Sequence, residues 1–264
     1  MKKTFKTRFL IFNVLLAVTF TACNNNDDDD IVDPISTGAD ACQMVKAVEV
    51  GDDDYTDFEY NAQGYLTKAI YREVGSAATN DYEMFSYNAN NQLVKMEYYE
   101  NGQKDGNITF EYTNDLLTTA KDYDKSGNLY DITTYKYDSN KRMIEQAADD
   151  EIYKYTYDAK NNLTKVERLY QGLVISRQTY ENYDDKKSPY WAIKGFPAIL
   201  TEASPNNPGK TISTYDENQD GILQPAESET TTYTYKYNDK GYTTEIKETD
   251  GSDSETTNFT YNCK

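Results

Sequence analysis

Histidine is absent from the 264 residues, and cysteine (three), proline (six) and tryptophan (one) are scarce. Without imidazole, the metal sites and acid–base mechanisms that depend on it are excluded. No nucleophile elbow, phosphate loop or dinucleotide fingerprint appears. A carboxylate pair of the glycosidase kind is the remaining route to catalysis. The 45 acidic residues supply material for one, yet no position is singled out, so the expectation is a protein that is not an enzyme. Basic residues are also few, 27 against 45 acidic, for a formal net charge of −18. Such a surface repels nucleic-acid phosphates and anionic headgroups, leaving cations and neutral ligands such as sugars compatible. The same charge keeps a secreted protein soluble. Aliphatic runs are scarce after the first twenty positions, so a core has to draw on other side chains as well.

Tyrosine supplies them, with 26 residues, and it recurs in a repeated unit. Tyr155–Val166, YTYDAKNNLTKV, reads as strand, turn and strand. Alternation puts Tyr155 and Tyr157 on one face and Thr156 on the other, and Asp-Ala-Lys-Asn-Asn makes the turn. The unit returns as FEYNAQGYLTKA from Phe58, FSYNANNQLVKM from Phe85, FEYTNDLLTTA from Phe110, YKYDSNKRMIEQ from Tyr135 and YKYNDKGYTTEI from Tyr235. Its second aromatic falls at Tyr60, Tyr87, Tyr112, Tyr137 and Tyr157, spacings of 27, 25, 25 and 20 that suit stacked or meandering hairpins. The turns within units are short and the links between them vary and carry charge, which predicts tight turns at one end and irregular loops at the other.

Residues 1–22 read as a secretion signal: four basic residues, then the apolar run Phe9–Phe20, too short for the roughly 20 residues of a membrane span. Taking away those four charges moves −18 to −22 for the remainder. Thr21-Ala22 before Cys23 resembles a lipobox, which makes Cys23 the acylated residue and a lipid anchor the membrane partner. Residues 23–41, opening with NNNDDDD, form a flexible acidic tether. An acidic run in that place resembles the surface-export signal of Bacteroidetes lipoproteins, implying the exterior face of the outer membrane. From residue 42 to 264 the repeats form one domain, and it begins and ends in half units. Met44-Val45-Lys46-Ala47 is a second strand without a first, and Phe259-Thr260-Tyr261-Asn262 a first without a second. Their pairing closes the sheet and removes its free edges. Alignment on the repeat puts Cys42 and Cys263 two positions apart around one turn, in a compartment that permits a disulfide.

Two segments interrupt the rhythm. Ser188–Pro197 carries Tyr190, Trp191 and Phe196 between Pro189 and Pro197, which disfavour a central strand. It is read either as an apolar plug over one mouth of the sheet or as a platform on which Tyr190, Trp191 and Phe196 stack against sugar rings. Asp216–Glu227 matches a twelve-residue calcium loop. Asp216, Asn218 and Asp220 occupy positions 1, 3 and 5, Gly221 the sharp turn, Ile222 the carbonyl position, Gln224 position 9 and Glu227 the bidentate position. Flanking strands in place of helices point to a single loop holding a structural calcium ion.

The tyrosine and Asx unit looks like the YD-type repeats of Rhs proteins. Together with the segment Asp184-Asp185-Lys186-Lys187-Ser188-Pro189-Tyr190 and the anchored signal, it resembles a family of Bacteroidetes lipoproteins with a porin-like β-barrel domain of unknown function. The expectation is an all-β, closed or nearly closed antiparallel meander or barrel of about 14–16 strands. Neither face of such strands suits lipid tails, one being tyrosine along its length and the other Thr, Lys and Asn. The role that follows is a surface-exposed binding or interaction module for a glycan or surface protein. The alternative is a passive structural or adhesive scaffold, with a carboxylate-based glycoside hydrolase third.

Overall fold

The computed structural model describes residues 42–51, 54–72, 80–190, 193–194, 204–216 and 222–263. Sixteen antiparallel strands close into a barrel in which each pairs with its neighbour in sequence and the last pairs with the first. They are β1 Cys42–Glu49, β2 Tyr55–Tyr60, β3 Leu66–Arg72, β4 Asp81–Tyr87, β5 Leu93–Glu100, β6 Gln103–Thr113, β7 Leu116–Asp124 and β8 Leu129–Tyr137. The second half comprises β9 Met143–Ala148, β10 Glu151–Tyr157, β11 Leu163–Tyr170, β12 Leu173–Glu181, β13 Lys210–Tyr215, β14 Ser228–Tyr237, β15 Thr243–Asp250 and β16 Asp253–Cys263. The expected closure is found, at the top of the expected strand range. Cys42 and Cys263 stand opposite each other where β1 meets β16 and are disulfide-bonded.

Each repeat is a hairpin, and most of them turn on an Asx residue. Asp158 Oδ1 accepts the backbone N–H of Lys160 and of Asn162, both at 2.8 Å. Asn61, Asn88, Asp138 and Asn238 do the same in their own turns. The fourth turn residue lies in the left-handed region, φ +85° at Gly64 and 67° at Asn161, which is why Gly or Asn recurs there.

The tyrosines before the turns tie one hairpin to the next. Tyr60 donates its hydroxyl to the Met44 carbonyl (2.6 Å), Tyr87 to Leu66 (2.8 Å), Tyr112 to Leu93 (2.8 Å), Tyr157 to Met143 (2.6 Å) and Tyr261 to Thr243 (2.7 Å). A phenol can bury its ring because the hydroxyl is satisfied in this way. Beside this ladder sit buried Met44, Leu66, Leu93, Leu117, Met143 and Leu163, then Phe58, Phe85, Phe110, Tyr155 and Phe259, in one core cluster. The core thus lines the inside of the wall, densest towards the Asx turns.

The outward positions carry charge. Lys136 pairs with Glu145 (2.6 Å), Lys236 with Glu245 (2.7 Å), Arg72 with Asp57 (3.1 Å), and Glu97 with both Lys95 (2.7 Å) and Lys104 (2.8 Å). Glu167 likewise takes Lys165 and Arg177. These pairs are partly exposed and each contributes little to stability. Collectively they make a wall suited to water.

Candidate functional site

The barrel has two unlike ends, although the irregular loops expected opposite the Asx turns are in four places two-residue turns, Asn101-Gly102, Asp149-Asp150, Gln171-Gly172 and Gly251-Ser252, where positive-φ residues reverse the chain directly. At the turn end a long insertion stands where β12 passes to β13. Tyr183 donates to the Leu163 carbonyl as a ladder tyrosine should, and Asp184 starts an Asx turn by accepting from Lys186 (3.0 Å). The residue that completes the turn is Asn207, 23 positions on. Its N–H bonds Asp184 Oδ1 (3.0 Å), its carbonyl accepts from the Asp184 N–H (3.0 Å), and its amide holds Asp184 Oδ2 (3.0 Å). The segment between them is therefore an insertion into a hairpin turn.

The described part of the insertion packs inward. Pro189 and Ile193 are buried, and Tyr190 meets the Phe259 ring edge-on at 5.9 Å. The Lys194 carbonyl accepts from the Leu66 N–H (3.1 Å), and Ser204 Oγ from the Leu163 N–H (2.9 Å). Thr243 Oγ1 bonds the Lys187 carbonyl (3.0 Å). Contacts with β3, β11, β15 and β16 put this segment across the mouth as a plug. Burial holds the Tyr190 hydroxyl far above its ordinary pKa. Tyr190 is thus a core residue, while Trp191 and Phe196, its companions in the platform reading, lie outside the described residues.

Between plug and wall lies a cavity of about 30 Å³, room for a few water-sized groups, bounded by β12–β15 and the plug. Stacked Tyr233 and Tyr235 (6.4 Å, 20°) form one side, and Thr211, Glu248 and Asn207 reach into it. Burial, with Glu255 and Glu49 nearby, raises Glu248 to about 7.

Towards the loop end the inner face turns acidic. Glu83, 6% exposed on β4, is held up at about 7 by burial, against the lowering effect of the Tyr71 hydroxyl bonded to it, and its Oε2 has no partner. Asp122 is raised by desolvation and by Asp131, which stands directly opposite it on β8. Glu248 and Glu255 are likewise opposite each other. Like charges in register are unfavourable in a sheet. Arg168, ion-paired with Glu151 and facing the Tyr153 ring, is the inner-face cation found among the described residues.

The calcium-loop residues divide. Asp216 follows β13 and donates its N–H to the Ile175 carbonyl (3.0 Å), and Ile222 is exposed. Gln224 and Glu227 bracket a 3-10 turn, Pro225–Glu227, in which Glu227 Oε2 accepts the Gln224 N–H (3.0 Å). A helical turn starting at Pro225 is compatible with the last position of such a loop. Asn218, Asp220 and the Gly221 turn lie outside the described residues, as does Cys23. Among the described residues no cluster of three or more acidic or thiol ligands has metal-binding geometry.

The barrel fold has solved counterparts. It resembles porin-like proteins of Bacteroides. The crystal structure of one from Bacteroides uniformis superposes with a TM-score of 0.57, covering 83% of this chain and 96% of that one at 16% identity. Another, from Bacteroides vulgatus, gives 0.53, covering 83% and 99% at 13% identity. No family model and no curated protein matches the sequence. At these identities the likeness concerns the fold.

Sequence reasoning missed Glu83, Thr211 and Glu248 as site residues. Parity held the signal for two of them. Glu83 lies two residues before Phe85, and Glu248 two after Ile246, so both fall on the face that elsewhere carries tyrosine or aliphatic side chains.

Proposed function

We propose that this protein is a lipid-anchored binding module of the outer membrane whose barrel stands in water as a plugged cup and takes a glycan. The observation that carries the reading is the outward ring of Lys–Glu and Arg–Asp pairs. A membrane-spanning wall needs an outward apolar band between aromatic girdles, and charged groups on the lipid face cost about 2–4 kcal/mol each at the midplane. On this barrel the ion pairs stand on the outward face, while the ladder tyrosines and the apolar layer face in. The plug across the turn end argues in the same direction, against a continuous channel. Cys23 supplies the anchor, and the acidic run after it favours the exterior face. Tyrosine ring faces and acceptor oxygens near the mouth suit polyols. A calcium ion held by Asp216–Glu227, with Asp216, Asn218, Asp220, Ile222, Gln224 and Glu227 as ligands, would brace the loop between β13 and β14.

The test is a glycan array run with and without a calcium chelator, paired with conductance across planar lipid bilayers. Selective glycan binding without conductance is the expected result, weakened by Tyr233→Ala. Conductance steps from the purified protein would sink the cup reading. A blank array without conductance favours the passive scaffold, to which the satisfied tyrosine ladder is also suited.

A further inference from the structure

The cavity under the plug has a donor–acceptor balance that selects its occupant. Several of its donors are spent. Tyr235 gives its hydroxyl proton to the Pro208 carbonyl (2.6 Å), Tyr180 to Gln178 Oε1 (2.6 Å) and Tyr183 to the Leu163 carbonyl. Asn207 uses its amide on Asp184, and Asn206 uses its own on the Lys186 carbonyl (3.0 Å). A phenol has a single proton, so each of these tyrosines presents only lone pairs and ring to anything that enters. Thr211, 2% exposed, lies beside the Tyr233 hydroxyl, and its Oγ1 reaches no partner with hydrogen-bond geometry. Glu248 brings a carboxyl group, and no cation among the described residues pairs with it. Its charged neighbours are Glu255 on β16 and Glu49 on β1, both acidic.

A pocket of oxygens and aromatic faces around a carboxyl group lacks a donor carrying positive charge. An ammonium group meets each demand at once: three N–H donors for the Glu248, Thr211 and tyrosine oxygens, and a cation for the faces of Tyr233 and Tyr235. Its size matches a cavity of about 30 Å³, which is too small for a whole sugar ring. We propose that this cavity is a recognition pocket for a protonated primary amine, presented by an amino sugar whose ring stays outside it. The amino-sugar part rests on the glycan reading above, whereas the amine pocket itself does not.

The experiment is calorimetric titration of the purified protein with methylammonium, glucosamine and glucose, repeated on Glu248→Gln and Thr211→Val. Glu248→Gln removes a carboxyl group that burial disfavours in its charged form, so the variant folds with a melting temperature at or above that of the parent. Methylammonium and glucosamine are expected to bind at least tenfold more tightly than glucose, and Glu248→Gln to abolish that preference. Thr211→Val should weaken both amines several-fold. No heat from methylammonium, or an amine preference untouched by Glu248→Gln, overturns the pocket and leaves a protonated Glu248 among water molecules. Methylammonium bound without glucosamine keeps the amine pocket and removes the amino sugar. Glucose bound as tightly as glucosamine overturns the amine preference while the glycan reading stands.

Discussion

The turn end and the loop end of the barrel satisfy their polar groups in opposite ways. At the turn end the Asx oxygens hold two backbone N–H groups each, and nearly every ladder tyrosine has a carbonyl to itself. At the loop end carboxylates face one another across paired strands, as Asp122 and Asp131 do, and Glu83 is buried with a free oxygen. One end is consistent at each level, from turn residue to strand pairing to core. The other keeps interactions that cost stability, the pattern expected where function rather than folding selects the residues. The cavity sits between them, using side chains from both.

The comparison breaks most readily at the disulfide. Cys42→Ser with Cys263→Ser opens a loop of 221 residues at the seam between β1 and β16. The chain-entropy estimate is a loss of about 4 kcal/mol or more. Chemical denaturation of the double variant should show it, and a loss under about 1 kcal/mol would mean that strand pairing alone holds the seam.

The loop end should report itself through pH. Glu83 is raised from 4.5 to about 7 on folding. The fold therefore binds its proton more strongly than the unfolded chain does. That contribution is full below about pH 4.5 and disappears as pH rises through about 7, on the order of 3 kcal/mol for a shift of this size. Melting temperature should fall between pH 5 and pH 8, and Glu83→Gln should flatten the slope. An unchanged slope in that variant would locate the dependence elsewhere.

The smallest contrast lies within the ladder. Tyr157→Phe removes a bond and leaves the Met143 carbonyl without its partner, for a loss of about 1–2 kcal/mol. Tyr137 occupies the equivalent place, yet its buried hydroxyl has no partner. The unit before it has a shorter turn, with Asn114 and Asp115 both at positive φ, and the repeat slips there. Tyr137→Phe should be neutral or slightly stabilising. Equal losses at the two positions, measured by denaturant titration, would remove the ladder as a source of stability.

Much of the turn end was legible in the residues. Period-two tyrosines, an Asx at the turn and Gly or Asn three positions later act within a few residues of one another. Half units at Met44–Ala47 and Phe259–Asn262 predicted closure because a hairpin split between two ends can be completed in one way. Tyr183-Asp184 was readable as the start of a turn, whereas its completion by Asn207 was not, because nothing in the intervening residues encodes that return. The loop end was legible only as parity.

The sequence by itself determined the strands, their turns, their inward faces and the meander that joins them, since each depends on local hydrogen bonding or on the next strand along the chain. Only the tertiary structure decided where the inserted segment goes, which carboxylates lose water and which hydroxyls are left over. Those outcomes depend on residues distant in the chain, such as Thr243 meeting Lys187 56 positions away, and on the burial that a closed wall imposes. A carboxylate's environment is a property of the filled volume around it, and that volume exists only once the barrel has closed.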